Sequence, residues 1–157
     1  KLSDYFKSNK ALEAGRDHIS NSKEFDFNDL EKVYMEHTTR IENVNYQESF
    51  LTLIDTDIHI TKSYSEFIFG KKLIVPEEIC EKNKAQLYLY STNDAEYIQD
   101  GTRLEIDDRN KLDESHRKVL NENRIVFKEI SGTRSNREKW AIRYIEELIS
   151  EKAKLLM

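Results

Sequence analysis

Apolar residues recur along this chain with two different spacings, and the C-terminal end shows both most clearly. Residues 125–130, Ile-Val-Phe-Lys-Glu-Ile, read as a short strand, and Gly132 and Thr133 punctuate it. Ser135 followed three residues later by Glu138 has the spacing at which each side chain satisfies the other's free backbone N–H, so a helix is expected to begin at Asn136. At about 100° per residue, Ala141, Ile142, Ile145, Leu148, Ile149 and Leu156 fall within one arc, and Arg143, Glu146, Glu147, Ser150 and Lys154 fall opposite. That pattern predicts one long amphipathic helix with a buried face and a wet one.

Taken in order, the rest of the chain follows the same two periods. Leu2, Tyr5, Phe6, Ala11 and Leu12 recur at near-helical spacing and predict a first helix that ends before the polar run 18–23. A second helix starts after Asp26 or Asn28, with Leu30, Val33, Tyr34 and Ile41 inward and Glu31, Lys32 and Glu36 outward. Residues 43–48 connect it to a strand-rich middle. Between 50 and 62 one extended strand would place Phe50, Thr52, Ile54, Ile58 and Ile60 on one face and Asp55, Asp57, His59 and Thr61 on the other. A competing reading makes Asp55, Thr56 and Asp57 a hairpin loop between two shorter strands.

Gly70 parts the apolar groups 67–69 and 73–75, Pro76 with two glutamates opens a short turn or helix, and 86–91 reads as a strand. Asp100-Gly101 signals a tight hairpin, in which Glu96 would face Glu105 across the ribbon. Residues 112–121 read as a short helix burying Val119 and Leu120. Short links between consecutive strands imply antiparallel pairing. The expected fold is therefore α+β, a mostly antiparallel sheet with helices at both chain ends, closing on strand, turn and long amphipathic helix.

Composition narrows the picture. The 157 residues suit a single domain, 1–157, and 35% charged against 38% hydrophobic residues predict a small core under a heavily solvated surface. Cys80 stands alone, which leaves no intramolecular disulfide and no cysteine-rich metal site. No run approaches the roughly 18 apolar residues of a membrane span, and no leader pattern opens the chain, so a soluble, cytoplasmic protein without a membrane partner is expected. A first residue of Lys1 rather than Met reads as a chain trimmed or excised from a longer one. The net charge of −5 is uneven: from Gly132 onward six Lys and Arg face four Glu, an excess of +2 that leaves −7 for the first 131 residues.

Three constellations carry candidate chemistry. On one strand Asp55, Asp57 and His59 would stand in a row about 7 Å apart, an oxygen and nitrogen set suited to Mg²⁺, Mn²⁺ or Zn²⁺ that activates water against a phosphate ester, with His59 catalytic. Arg134, Arg137, Lys139 and Arg143 gather at the start of the last helix, where free N–H groups and positive side chains make an anion site. His18-Ile19-Ser20, His37-Thr38-Thr39 and His59-Ile60-Thr61 share a His-x-Ser/Thr pattern; paired His-x-Thr strands resemble the two-histidine phosphoesterases, whose imidazoles serve as acid and base, but His18 and His37 fall in or beside predicted helices. Tyr88, Tyr90 and Trp140, at the edge of its helical stripe, read as packing residues.

No glycine-rich nucleotide loop, Cys/His cluster or nucleophile motif is present in the sequence. The leading expectation is thus an intracellular, non-catalytic interaction or regulatory domain with a protein partner and no cofactor. Two alternatives stand beside it: a metal-dependent phosphodiesterase or nuclease using Asp55, Asp57 and His59 with a divalent ion, and a nucleic-acid-binding module using the Arg134 to Arg143 cluster.

Overall fold

The computed structural model describes residues 1–19, 25–44, 47–94 and 106–155. Helix α1 (Leu2–Phe6) is short because Lys7 turns left-handed, at φ 50°, and Ser8 N–H returns to the Ser3 carbonyl. The first helix therefore does not run on to Leu12, which is 59% exposed. The chain instead enters strand β1 (Asn9–Ala11), then the single turn α2 (Gly15–His18).

Helix α3 (Phe27–Glu42) begins where its sequence says it should. Asp26 accepts hydrogen bonds from Asn28 N–H and Asp29 N–H, and Asp29 accepts one from Asp26 N–H in return. Leu30, Val33, Tyr34 and Ile41 are buried along one face, as the spacing predicts. At its far end Arg40 donates to the carbonyls of Leu12 and Glu13 and pairs with Glu36 and Asp17, which fixes the exit of β1 against α3.

Strand β2 (Thr52–Ile54) is followed at once by helix α4 (Ile58–Phe69), then α5 (Glu77–Lys82) and strand β3 (Tyr88–Ser91). Neither the single strand over 50–62 nor the hairpin about Asp55 forms. Asp57 ends the extended run by accepting from His59 N–H and Ile60 N–H, which starts a helix in its place. Gly70, left-handed at φ 60°, ends that helix. Helix α6 (Ile106–Glu122) leads into strand β4 (Phe127–Ile130) and helix α7 (Arg134–Leu155). Thr133, rather than Ser135, caps α7, its hydroxyl accepting from Asn136 N–H.

The expected mostly antiparallel sheet is overturned. The described strands form two pairs, β1 with β2 and β3 with β4, both parallel, in registers Asn9 to Thr52 and Tyr88 to Phe127. The reason is the connections. Between β1 and β2 lie α2 and α3, and between β3 and β4 lies α6; a helical crossover returns the chain to the same end of the sheet, where a two-residue turn would reverse it. The hairpin expected at Asp100-Gly101, with Glu96 and Glu105, lies outside the described residues.

The core gathers Leu30, Tyr34, Ile58, Leu73 and Val75, with Phe25 and Phe27 packed edge-on against Phe69. Burying each such aliphatic side chain contributes about 1.5–3 kcal/mol. Helix α4 also packs along α6, through a polar seam: Ser63 donates to Ser115, His116 Nδ1 lies 2.8 Å from Ser63 Oγ, and Lys118 pairs with Glu66. Among the described residues no helix is long and apolar enough to cross a membrane.

A candidate functional site at the carboxyl edge of the first strand pair

Parallel strands place the loops that follow them on one edge, and ligands of open α/β sheets bind there. At this edge Asp55 N–H donates to the Ala11 carbonyl at 2.9 Å, so Asp55 leaves the ladder where β1 and β2 both end. Its side chain is exposed, and among the described residues it has no hydrogen-bond or ion-pair partner. The next residue, Thr56, is left-handed at φ 65°, an unfavourable conformation for a β-branched residue. That kink turns Asp57 inward.

Asp57 and His59 are buried together, with His59 Nδ1 2.7 Å from Asp57 Oδ2. The other carboxylate oxygen caps α4, so both oxygens of Asp57 are engaged. Tyr88, at the start of β3, lies edge-on to His59 with ring centroids 6.3 Å apart, and its hydroxyl accepts from Ala85 N–H. Burial pushes the Tyr88 phenol up to about 12, and the charge of Asp57 adds to that shift. From α3, His37 feels the charge of the same carboxylates: it is 4% exposed, and among the described residues its Nε2 has no hydrogen-bond partner. Burial lowers its pKa, and the negative charges of Asp57 and Asp55 only partly oppose this.

Of the three residues expected to hold a metal, the structure brings Asp57 and His59 together and leaves Asp55 apart at the surface. Among the described residues no group of three or more His, Cys, Asp and Glu side chains is arranged to hold a metal ion. His37 and His59 both lie on helices, not on paired strands, so the His-x-Thr resemblance has no structural counterpart. The four basic residues expected at the anion site are also divided. Arg137 turns inward, donating to the Gly132 and Thr92 carbonyls and to Ser91, and pairing with Asp94. Arg143 pairs with Glu147, while Arg134 and Lys139 are exposed.

Sequence reasoning set His37 in a His-x-Thr pattern and Tyr88 among the packing residues; that both lie near Asp57 is the work of tertiary packing. The signal for Asp55 was legible: a half-buried run, Leu51-Thr52-Leu53-Ile54, broken by an acidic turn.

No curated protein matches the chain. The family described as "AAA domain" matches residues 2–137, which is most of the 157 and covers the candidate edge entirely. The chain belongs to the AAA domain family.

Proposed function

We propose that this protein is a regulatory or interaction domain of the nucleotide-binding AAA type, and that Asp55 is the carboxylate it turns toward the metal-bound phosphates of a nucleotide. The observation that carries the reading is the position of Asp55: exposed, unpaired among the described residues, and directly beyond the last rung of the β1–β2 ladder. P-loop proteins hold Mg²⁺ with an acidic residue of this kind. Mg²⁺ needs only one or two carboxylates, the remaining positions being filled by water and phosphate, so a lone Asp fits it where the described residues hold no three-ligand zinc set. When bound, the ion neutralises phosphate charge.

The chain's own residues do the rest. Asp57 and His59 are the buried pair that hold the turn, and with it the direction of Asp55. His37, buried on α3, adds a nitrogen without a hydrogen-bond partner among the described residues. The 157 residues contain no G-x-x-x-x-G-K-[ST] loop, so the reading concerns the carboxylate side of the site.

The test is thermal unfolding of the full chain with Mg²⁺ alone, ATP alone and both together, for wild type and Asp55→Asn. The expected result is a rise of several degrees with both, lost in the variant, since a ligand at 100 times its Kd adds roughly 2.7 kcal/mol. An equal rise in the variant, or no rise with Mg²⁺ and ATP together, overturns the proposal.

A further inference from the structure

The start of α7 carries a second surface, independent of the Asp55 edge. Trp140 and Tyr144, one helical turn apart, stack with ring centroids 5.8 Å apart and planes 20° from parallel. The Arg143 guanidinium lies 5.5 Å from the centre of the Trp140 ring, and Lys128 Nζ reaches over from β4 to lie 5.8 Å from that of Tyr144. Trp140 is 42% exposed rather than packed away, and Lys128 and the adjacent Lys139 are exposed as well. Two cations, Arg143 and Lys128, are thus set against an exposed aromatic pair on an acidic molecule.

We propose that this face binds single-stranded nucleic acid. Bases offer π-faces that stack on tryptophan, tyrosine or a guanidinium plane, and the phosphates between them meet lysine and arginine. Arg143 is held by Glu147 at 2.9 Å, which sets the plane of its guanidinium, yet its side chain stays 64% exposed. A duplex keeps its bases stacked on one another and out of reach of the rings. An acidic peptide meets the cations but offers nothing to the stack. Arg137 belongs to the fold instead, since its donors are taken by Gly132, Ser91, Thr92 and Asp94.

Trp140 is the only tryptophan of the chain, so its emission reports the contact directly. The experiment titrates the full chain with short oligo(dT) and oligo(rA), with a duplex of matched length and with polyglutamate, following tryptophan fluorescence and the anisotropy of labelled strands. Expected are quenching by the single strands, binding that weakens steeply with salt, and a loss of about five- to a hundredfold on Trp140→Ala, the range that removal of one stacking aromatic gives. Lys139→Ala would lower the salt dependence by about one counterion. Trp140→Phe, which keeps a ring, would retain most of the affinity and guards against a misfolded alanine variant. Absence of quenching, equal binding of duplex or polyglutamate, or a folded Trp140→Ala protein that binds as well as wild type overturns the proposal.

Discussion

His59 Nδ1 lies 2.7 Å from one oxygen of Asp57 inside the protein, while the other oxygen of that carboxylate caps the helix carrying His59. One side chain thus starts α4 and orients the ring behind the candidate site. Asparagine caps a helix about as well as aspartate, but it lacks the charge that strengthens the bond to the imidazole. Asp57→Asn is expected to cost about 1–2 kcal/mol and Asp57→Ala about 2–4 kcal/mol, because alanine loses the cap as well. Urea unfolding of both variants separates the two roles. Equal costs would assign everything to the charged bond with His59 and nothing to the cap.

Acid should weaken the fold through its neutral histidines. Burial against Ser63 and Tyr64 lowers His116 to about 4, and burial lowers His37 as well. The unfolded chain takes up these protons near pH 6.5. The stability the two groups confer is therefore complete above about pH 6.5 and is lost as the pH falls from there toward 4, on the order of 2–3 kcal/mol for His116. Urea midpoints between about pH 7 and 4 check this, with His116→Asn expected to flatten the curve. A wild-type midpoint independent of pH across that window would contradict it.

Arg137 joins the end of β3 to the turn before α7. It reaches Ser91, Thr92, Asp94 and Gly132 at once, and the Asp94 carboxylate also accepts from Gly132 N–H. Arg137→Ala is expected to destabilise the protein by about 2–4 kcal/mol, and Arg137→Lys to recover little, since an ammonium cannot reproduce the planar fork. Circular dichroism through a urea titration reads both. Recovery of full stability by lysine would show that charge alone matters.

Two left-handed residues should respond in opposite directions. Thr56, at φ 65°, carries a β-branched side chain where glycine fits best, so Thr56→Gly is expected to raise stability by about 0.5–1 kcal/mol. Gly70, at φ 60°, has nothing within 4 Å of an added Cβ, so the cost of Gly70→Ala, about 1 kcal/mol, is a backbone cost. Thermal midpoints of the two variants give the signs. A lower midpoint for Thr56→Gly would mean that Thr56 makes a contact worth more than its strain.

Local signals read well where one helix buries one stripe. Asp26 and the Leu30, Val33, Tyr34, Ile41 spacing located α3, and Ala141 with Ile145 located the buried line of α7. The Gly70 break also proved to be a helix end. What failed was anything set by partners distant in sequence. An apolar run such as Leu51 to Ile54 has the same composition whether its neighbour runs parallel or antiparallel, and only the helices between the strands decide. Ile54, Ile58 and Ile60 keep the alternation of a strand across Asp57, so a helix start hid inside a strand pattern. With Ile60 at the third helical position there is no acidic residue to complete a capping box and betray it. The candidate edge was half legible for the same reason: Asp55 stood out, whereas His37 reaches it from another helix.

The seam between α4 and α6 has a consequence for how these helices can move. A greasy interface tolerates a slide of one residue, since one methyl group replaces another. Here Ser63, Ser115 and His116 are matched donor to acceptor, and Lys118 is paired with Glu66. A small displacement would strand several polar atoms together, so the contact has a single resting register. Helix α4 is thus keyed to α6 as a toothed rack is to its pinion, and the turn that aims Asp55 inherits its bearing from that fixed position.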